Sequence, residues 1–160
     1  MKQLPFLLVF LFLFSGCSQE NSYFQRALNA DSESDNWLLH GRTYDESRFS
    51  PLKDINESNV EDLGLAWSFE TGTNRGHETT PIVVDGMMFI SAPWSVVFAL
   101  DPKTGEKLWS FDPQADKAWA RNACCDVVNR GVAVWEDQVI IATIDGRLIS
   151  LNKNSGEVNW

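Results

Sequence analysis

Two cysteines stand side by side at Cys124 and Cys125, within the run Ala123-Cys124-Cys125-Asp126-Val127-Val128-Asn129-Arg130-Gly131. A disulfide between sequence neighbours closes an eight-membered ring and distorts the peptide inside it, which costs energy. Two free or separately paired thiols are the plain alternative. Zinc is disfavoured, because the usual two-residue gap between cysteine ligands is absent and the chain has only 2 His. Arg130 precedes an apolar run. Its planar guanidinium can grip a carboxylate through two parallel hydrogen bonds, or it is a solvated cation. Glu78 leads into Thr79-Thr80-Pro81 and another apolar run. By default it is an exposed acid at a strand entrance. His40 and His77 read as structural or exposed, and Asp45 as part of an acidic loop with no bound cation.

The elements that carry these residues are short strands. Apolar, β-rich runs at 65–69, 81–84, 87–91, 96–100, 131–135, 139–143 and 147–151 alternate with turn signals, the pattern of an all-β protein. Asp85-Gly86 and Asp145-Gly146 are hairpin-type turns. Arg48-Phe49-Ser50-Pro51 predicts a further short strand. Ser58 and Glu61 form a capping-box pattern before Gly64, which predicts one short helix over 59–63. Residues 17–35 are polar and read as a tether with a helical turn near Tyr23 to Ala30.

A repeat organises the strands. Ala99-Leu100-Asp101-Pro102-Lys103-Thr104-Gly105-Glu106-Lys107-Leu108-Trp109 returns as Ser150-Leu151-Asn152-Lys153-Asn154-Ser155-Gly156-Glu157-Val158-Asn159-Trp160, an offset of 51 residues. At the same offset Val83–Ile90 falls on Val134–Ile141. A unit of this length with four short strands is a propeller blade. In its turn, Asp101 or Asn152 accepts backbone N–H bonds and Gly105 or Gly156 takes a positive φ. The Trp that follows then has a broad apolar face to bury between blades.

Composition excludes one class of partner. With 22 acidic against 13 basic residues, the chain lacks the cationic surface that DNA or RNA binding needs. The N-terminus reads as an export signal over 1–16. Lys2 is followed by an apolar stretch too short for a membrane span. Leu13-Phe14-Ser15-Gly16-Cys17 resembles a bacterial lipoprotein box, with Cys17 as the lipidated first residue of the mature chain. An ordinary cleaved signal and a retained anchor are the alternatives. Export would put Cys124 and Cys125 in an oxidising compartment where disulfides persist.

From Trp37 to Trp160 the sequence resembles the quinoprotein alcohol dehydrogenases, which depend on pyrroloquinoline quinone (PQQ). The repeated turn is similar to that family's tryptophan-docking motif. Three segments add to it: Arg75-Gly76-His77-Glu78-Thr79-Thr80-Pro81, Trp94-Ser95-Val96-Val97-Phe98-Ala99-Leu100-Asp101, and the run around Cys124-Cys125. The resemblance implies an eight-bladed propeller, of which residues 36–160 would supply about two four-stranded blades. It implies PQQ on the axis, a Cys124–Cys125 disulfide against one face of it, Arg130 on a PQQ carboxylate and Glu78 hydrogen-bonded to it. An acid beside a polycarboxylate must accept from donors or stay protonated.

The implied activity is periplasmic oxidation of an alcohol, with electrons passed to a cytochrome c or quinone acceptor. The Ca²⁺ ligands and the catalytic base would fall beyond Trp160, as would any c-type haem domain, so this stretch alone is expected to be inactive. Lipidation at Cys17 would hold the protein at a membrane. The competing reading is a non-enzymatic propeller lipoprotein that serves as an outer-membrane assembly scaffold. Glu78, the Cys pair and Arg130 weigh against it.

Overall fold

A computed structural model describes residues 22–160. Cys17 and the stretch expected to be an export signal lie outside the described residues. Seven strands form two antiparallel sheets. The first holds β1 (Ile82–Val84), β2 (Met87–Ala92), β3 (Val96–Leu100) and β4 (Lys107–Phe111) in sequential order. The second holds β5 (Ala133–Trp135), β6 (Gln138–Ala142) and β7 (Leu148–Asn152). A single bridge from Leu151 to Val158 begins a fourth strand there. The expected pair of blades is therefore present, the second with three full strands and the start of another.

The Asp85-Gly86 turn closes a two-residue hairpin, with Val84 opposite Met87. Both turn residues have positive φ (53° and 76°), the twist that matches paired strands. Its counterpart one repeat later is Glu136-Asp137, between Trp135 and Gln138. Asp145-Gly146 turns the chain between β6 and β7 instead, where Thr143 donates its backbone N–H to the Arg147 carbonyl at 2.8 Å.

Strand alternation explains why the first sheet is apolar on both sides. Phe89, Val97, Ala99 and Trp109 point into one core shared with Val134, Val139, Ile141, Ile149 and Leu151 of the second sheet. Phe98 and Leu100 point the other way and pack with Trp67 and Phe69. The 65–69 run, expected as a strand, forms no strand among the described residues. Its aromatic side chains cover the outer face.

Each repeat's Trp docks on the next repeat's turn. Trp67 donates its indole N–H to the Pro102 carbonyl at 3.1 Å, and Trp109 donates to the Lys153 carbonyl at 2.9 Å. Trp109 is 8% exposed. β4, which holds it, is not among the expected strands.

Two other local expectations differ from what forms. Residues 48–51 pair with nothing regular. The helix expected over 59–63 is a single 3₁₀ turn, Val60–Asp62, without a side-chain cap. Ser58 Oγ instead donates to Asn56 Oδ1 at 2.6 Å, so the capping box is not made. The described part of the tether carries the helical turn expected near Tyr23 to Ala30. Helix α1 (Tyr23–Leu28) starts at Ser22, whose hydroxyl accepts from the Gln25 N–H. Tyr23, Ala27 and Ala30 are buried, a stripe at helical spacing. Tyr23 donates to the Leu38 carbonyl at 3.0 Å and its ring lies 5.7 Å from that of Trp135.

Candidate functional site

The site forms where two chain segments approach their inner strands. Residues 75–81 lead into β1, and residues 123–132 lead into β5 one repeat later. Equivalent positions of consecutive blades lie side by side, so residues about 51 apart in sequence become neighbours. Thr80 donates its N–H to the Arg130 carbonyl at 3.1 Å, tying the two segments at the strand entrance. Gly131 follows with φ of 131°, and a side chain there would bring its Cβ to 3.1 Å from the Thr80 carbonyl. Only glycine fits this conformation and this approach without strain.

Above this tie, Arg130 Nη2 pairs with Glu78 Oε2 at 3.1 Å. The side chains are 76% and 39% exposed, so the pair is open to solvent and adds little to stability. The Cys124 and Cys125 sulfurs lie 2.8 Å apart on the same exposed loop, and both are free thiols here. The hydrogen bond with Cys124 raises the Cys125 thiol above its ordinary value. Glu78 pushes it the same way more weakly, and Arg130 opposes. Glu78 and Arg130 thus stand near enough to the cysteine pair for their charges to act on Cys125.

A partly buried polar network supports the surface from below. Asn129 donates from Nδ2 to Ser95 Oγ at 3.2 Å and to the Ala142 carbonyl at 3.0 Å, and accepts the Gly131 N–H at 3.0 Å. Ser91, fully buried, receives support from Thr79: its N–H donates to Thr79 Oγ1 at 3.0 Å and its hydroxyl to the same atom at 3.2 Å. Sequence reasoning missed these residues. Their types are common in turns, and only the blade contact gives them partners. His77 is exposed and hydrogen-bonds Thr71 Oγ1 at 2.7 Å, away from the pair. Among the described residues, no group of three or more His, Cys, Asp or Glu is gathered for a metal ion.

The family model of the PQQ glucose/ethanol/alcohol dehydrogenase β-propeller domain matches residues 37–159. The chain belongs to this family. Among curated members of the PQQ propeller family, a quinohemoprotein alcohol dehydrogenase, ADH-IIG, from Pseudomonas putida is 52% identical over 84% of this chain and 19% of its own length. The dehydrogenase subunit of a quinone-type alcohol dehydrogenase from Komagataeibacter europaeus is 48% identical over 83% of this chain and 18% of its own. The solved structure of the Pseudomonas putida ADHIIG enzyme superposes with a TM-score of 0.82 at 52% identity, covering 84% of this chain and 20% of that one. A europium-containing methanol dehydrogenase superposes with a TM-score of 0.78 at 37% identity, covering 84% and 24%. The chain thus spans about a fifth of the length of the PQQ-family relatives it matches.

Proposed function

We propose that the full-length protein oxidises an alcohol with PQQ as redox cofactor, and that Glu78, Cys124, Cys125 and Arg130 form one side of the cofactor site. The observation that carries this reading is the Arg130–Glu78 pair at the blade entrance, near enough to the Cys124–Cys125 pair for both charges to act on the Cys125 thiol.

The donor set fits the group. PQQ bears carboxylates, and Arg130 presents a guanidinium held only by one exposed Glu78 contact, so a ligand carboxylate can compete for it. Glu78, freed from that contact, can accept hydrogen bonds from donor groups at the ligand. Joined as a disulfide, Cys124 and Cys125 offer a flat, polarisable, apolar surface. Pairing removes two protons and two electrons, which a thiol-oxidising disulfide of the exporting compartment accepts. When bound, PQQ supplies a two-electron acceptor for the hydride, or its equivalent, of the alcohol.

The rest of the reading is drawn from relatives. One is named 1-butanol dehydrogenase (cytochrome c) and others alcohol dehydrogenase (quinone), which supports electron transfer to a cytochrome c or a quinone. The term quinohemoprotein in a relative's name supports a haem carried elsewhere in the protein. Ca²⁺, with ligands beyond Trp160, a periplasmic location and a lipid anchor at Cys17 complete the proposal.

Titrating the full-length apoprotein with PQQ tests it. Stoichiometric binding is expected. Arg130→Ala should weaken it roughly 10- to 100-fold, the worth of a hydrogen bond to a charged group. Equal affinity in wild type and Arg130→Ala would overturn the assignment of this surface.

A further inference from the structure

Three loops meet beside the cysteine pair, and their contacts have no part in the cofactor reading so far. Arg75, three residues before Glu78, forms an ion pair with Asp126, the residue after Cys125. The two are 51 residues apart, one full repeat, so the pair joins equivalent points of neighbouring blades. The Arg75 guanidinium also lies 5.8 Å from the centroid of the Trp94 ring, and Lys117 Nζ sits 3.8 Å from the same centroid. Trp94 in turn donates its backbone N–H to the Val127 carbonyl at 2.9 Å.

The backbone at this junction is unusual. Trp94, Ser95 and Asp126 all have positive φ, at 65°, 62° and 71°. Side chains other than glycine rarely take this conformation, and it persists only where surrounding contacts over-determine it. Here those contacts are the ion pair, the stacked cations and the Trp94–Val127 hydrogen bond. Ser95 is further fixed by the Asn129 amide. The loop carrying Cys124 and Cys125 is therefore held on its C-terminal side by Arg75 and Trp94, while Thr80 and Glu78 hold Arg130 a few residues on.

We propose that Arg75, Asp126 and Trp94 are positioning residues, a brace that sets the Cys124–Cys125 loop in register with Glu78 and Arg130 before the cofactor arrives. The proposal rests on the cofactor reading for its purpose but not for its geometry. A preorganised surface binds a rigid ligand more tightly, because the ordering cost is already met in the free protein. Without the brace, the cysteine loop and the Glu78 loop lose their shared reference and the ligand must order both.

The test uses the full-length protein with Arg75→Gln, Asp126→Asn and the charge-swapped double variant Arg75→Asp/Asp126→Arg. Amide hydrogen exchange of peptides covering 123–131 is followed in the apoprotein, and PQQ affinity is measured by titration. Each neutralised variant should exchange about two- to fivefold faster over 123–131 and bind PQQ about two- to fivefold more weakly, with both readouts moving back toward wild type in the swap. Unchanged exchange in both single variants overturns the brace. Faster exchange with unchanged PQQ affinity also overturns it, since the contacts would then be structural only. Failure of the wild-type protein to bind PQQ overturns the cofactor reading instead, and the exchange comparison alone then decides whether the brace exists.

Discussion

The Trp109 ring lies directly against the Cα of Gly156, one blade on: a Cβ at that glycine would come within 2.7 Å of the ring. The same contact joins Trp67 to Gly105, where an added Cβ would come to 2.5 Å from the ring. Gly156 has φ of 74°, so a side chain there is penalised twice, by backbone conformation and by overlap with the indole. Gly86, with φ of 76°, faces open space where a methyl would stand and carries the conformational penalty alone. Gly156→Ala should cost about 2–4 kcal/mol and Gly86→Ala about 1 kcal/mol, read by urea unfolding of the full-length protein. Equal losses at the two sites would mean that the indole contact carries no weight.

Acid should loosen the docking of helix α1. Arg26 binds Glu33 at 2.8 Å and Asp85 of the first hairpin at 2.7 Å. Its hydrogen bonds hold both carboxyls below their ordinary values of 4.5 and 3.8, with Lys153 adding to the effect at Asp85. A carboxylate whose pKa is lower folded than unfolded stabilises the fold fully above its unfolded value. That contribution is lost as pH falls through the lower, folded value. Docking of α1, followed by Tyr23 or Trp135 fluorescence, should hold from neutral pH to about pH 5 and weaken below about pH 4. Arg26→Gln should flatten this dependence. An unchanged acid transition in that variant would assign it to other carboxylates.

Cys124 and Cys125 should be joined in the exported, full-length protein. A non-reduced digest should contain the peptide holding both residues at a mass two hydrogens below its dithiol form. Two thiols that react with an alkylating agent in correctly exported protein would count decisively against pairing.

Anchoring is tested at Cys17. Cys17→Ser should move the protein from the membrane fraction to the soluble periplasmic fraction. Unchanged fractionation would leave an ordinary or retained signal as the better reading.

Much of the fold was legible because its signals are local. β3 appears at the expected residues, Val96–Leu100, since an uninterrupted apolar run between turn signals has few other outcomes. Asp101 accepts the Lys103 and Thr104 N–H groups at 2.7 and 3.1 Å, and Asn152 does the same for Asn154 and Ser155, as the repeated turn requires. β4 was missed because Lys107 and Ser110 leave only a short, interrupted apolar stretch, so its strand character comes from pairing with β3. The 59–63 helix failed for the opposite reason. A single turn has too few hydrogen bonds to offset nucleation, and no packing partner buries it. Helix α1 is also short, at six residues, but survives, because Tyr23 and Ala27 are buried and Arg26 is paired.

By itself the sequence determined the blade: turn chemistry, strand alternation and the 51-residue period each act over a few residues and repeat. It also named Glu78, Cys124, Cys125 and Arg130, through segment likeness. What only the tertiary structure decided is which residues of one blade meet those of the next. Arg75 with Asp126, Thr80 with Arg130 and Trp109 with Gly156 are pairs that no local preference selects. They form because two sheets burying one apolar core bring equivalent positions of successive repeats side by side, and only then do opposite charges and free N–H groups find their partners.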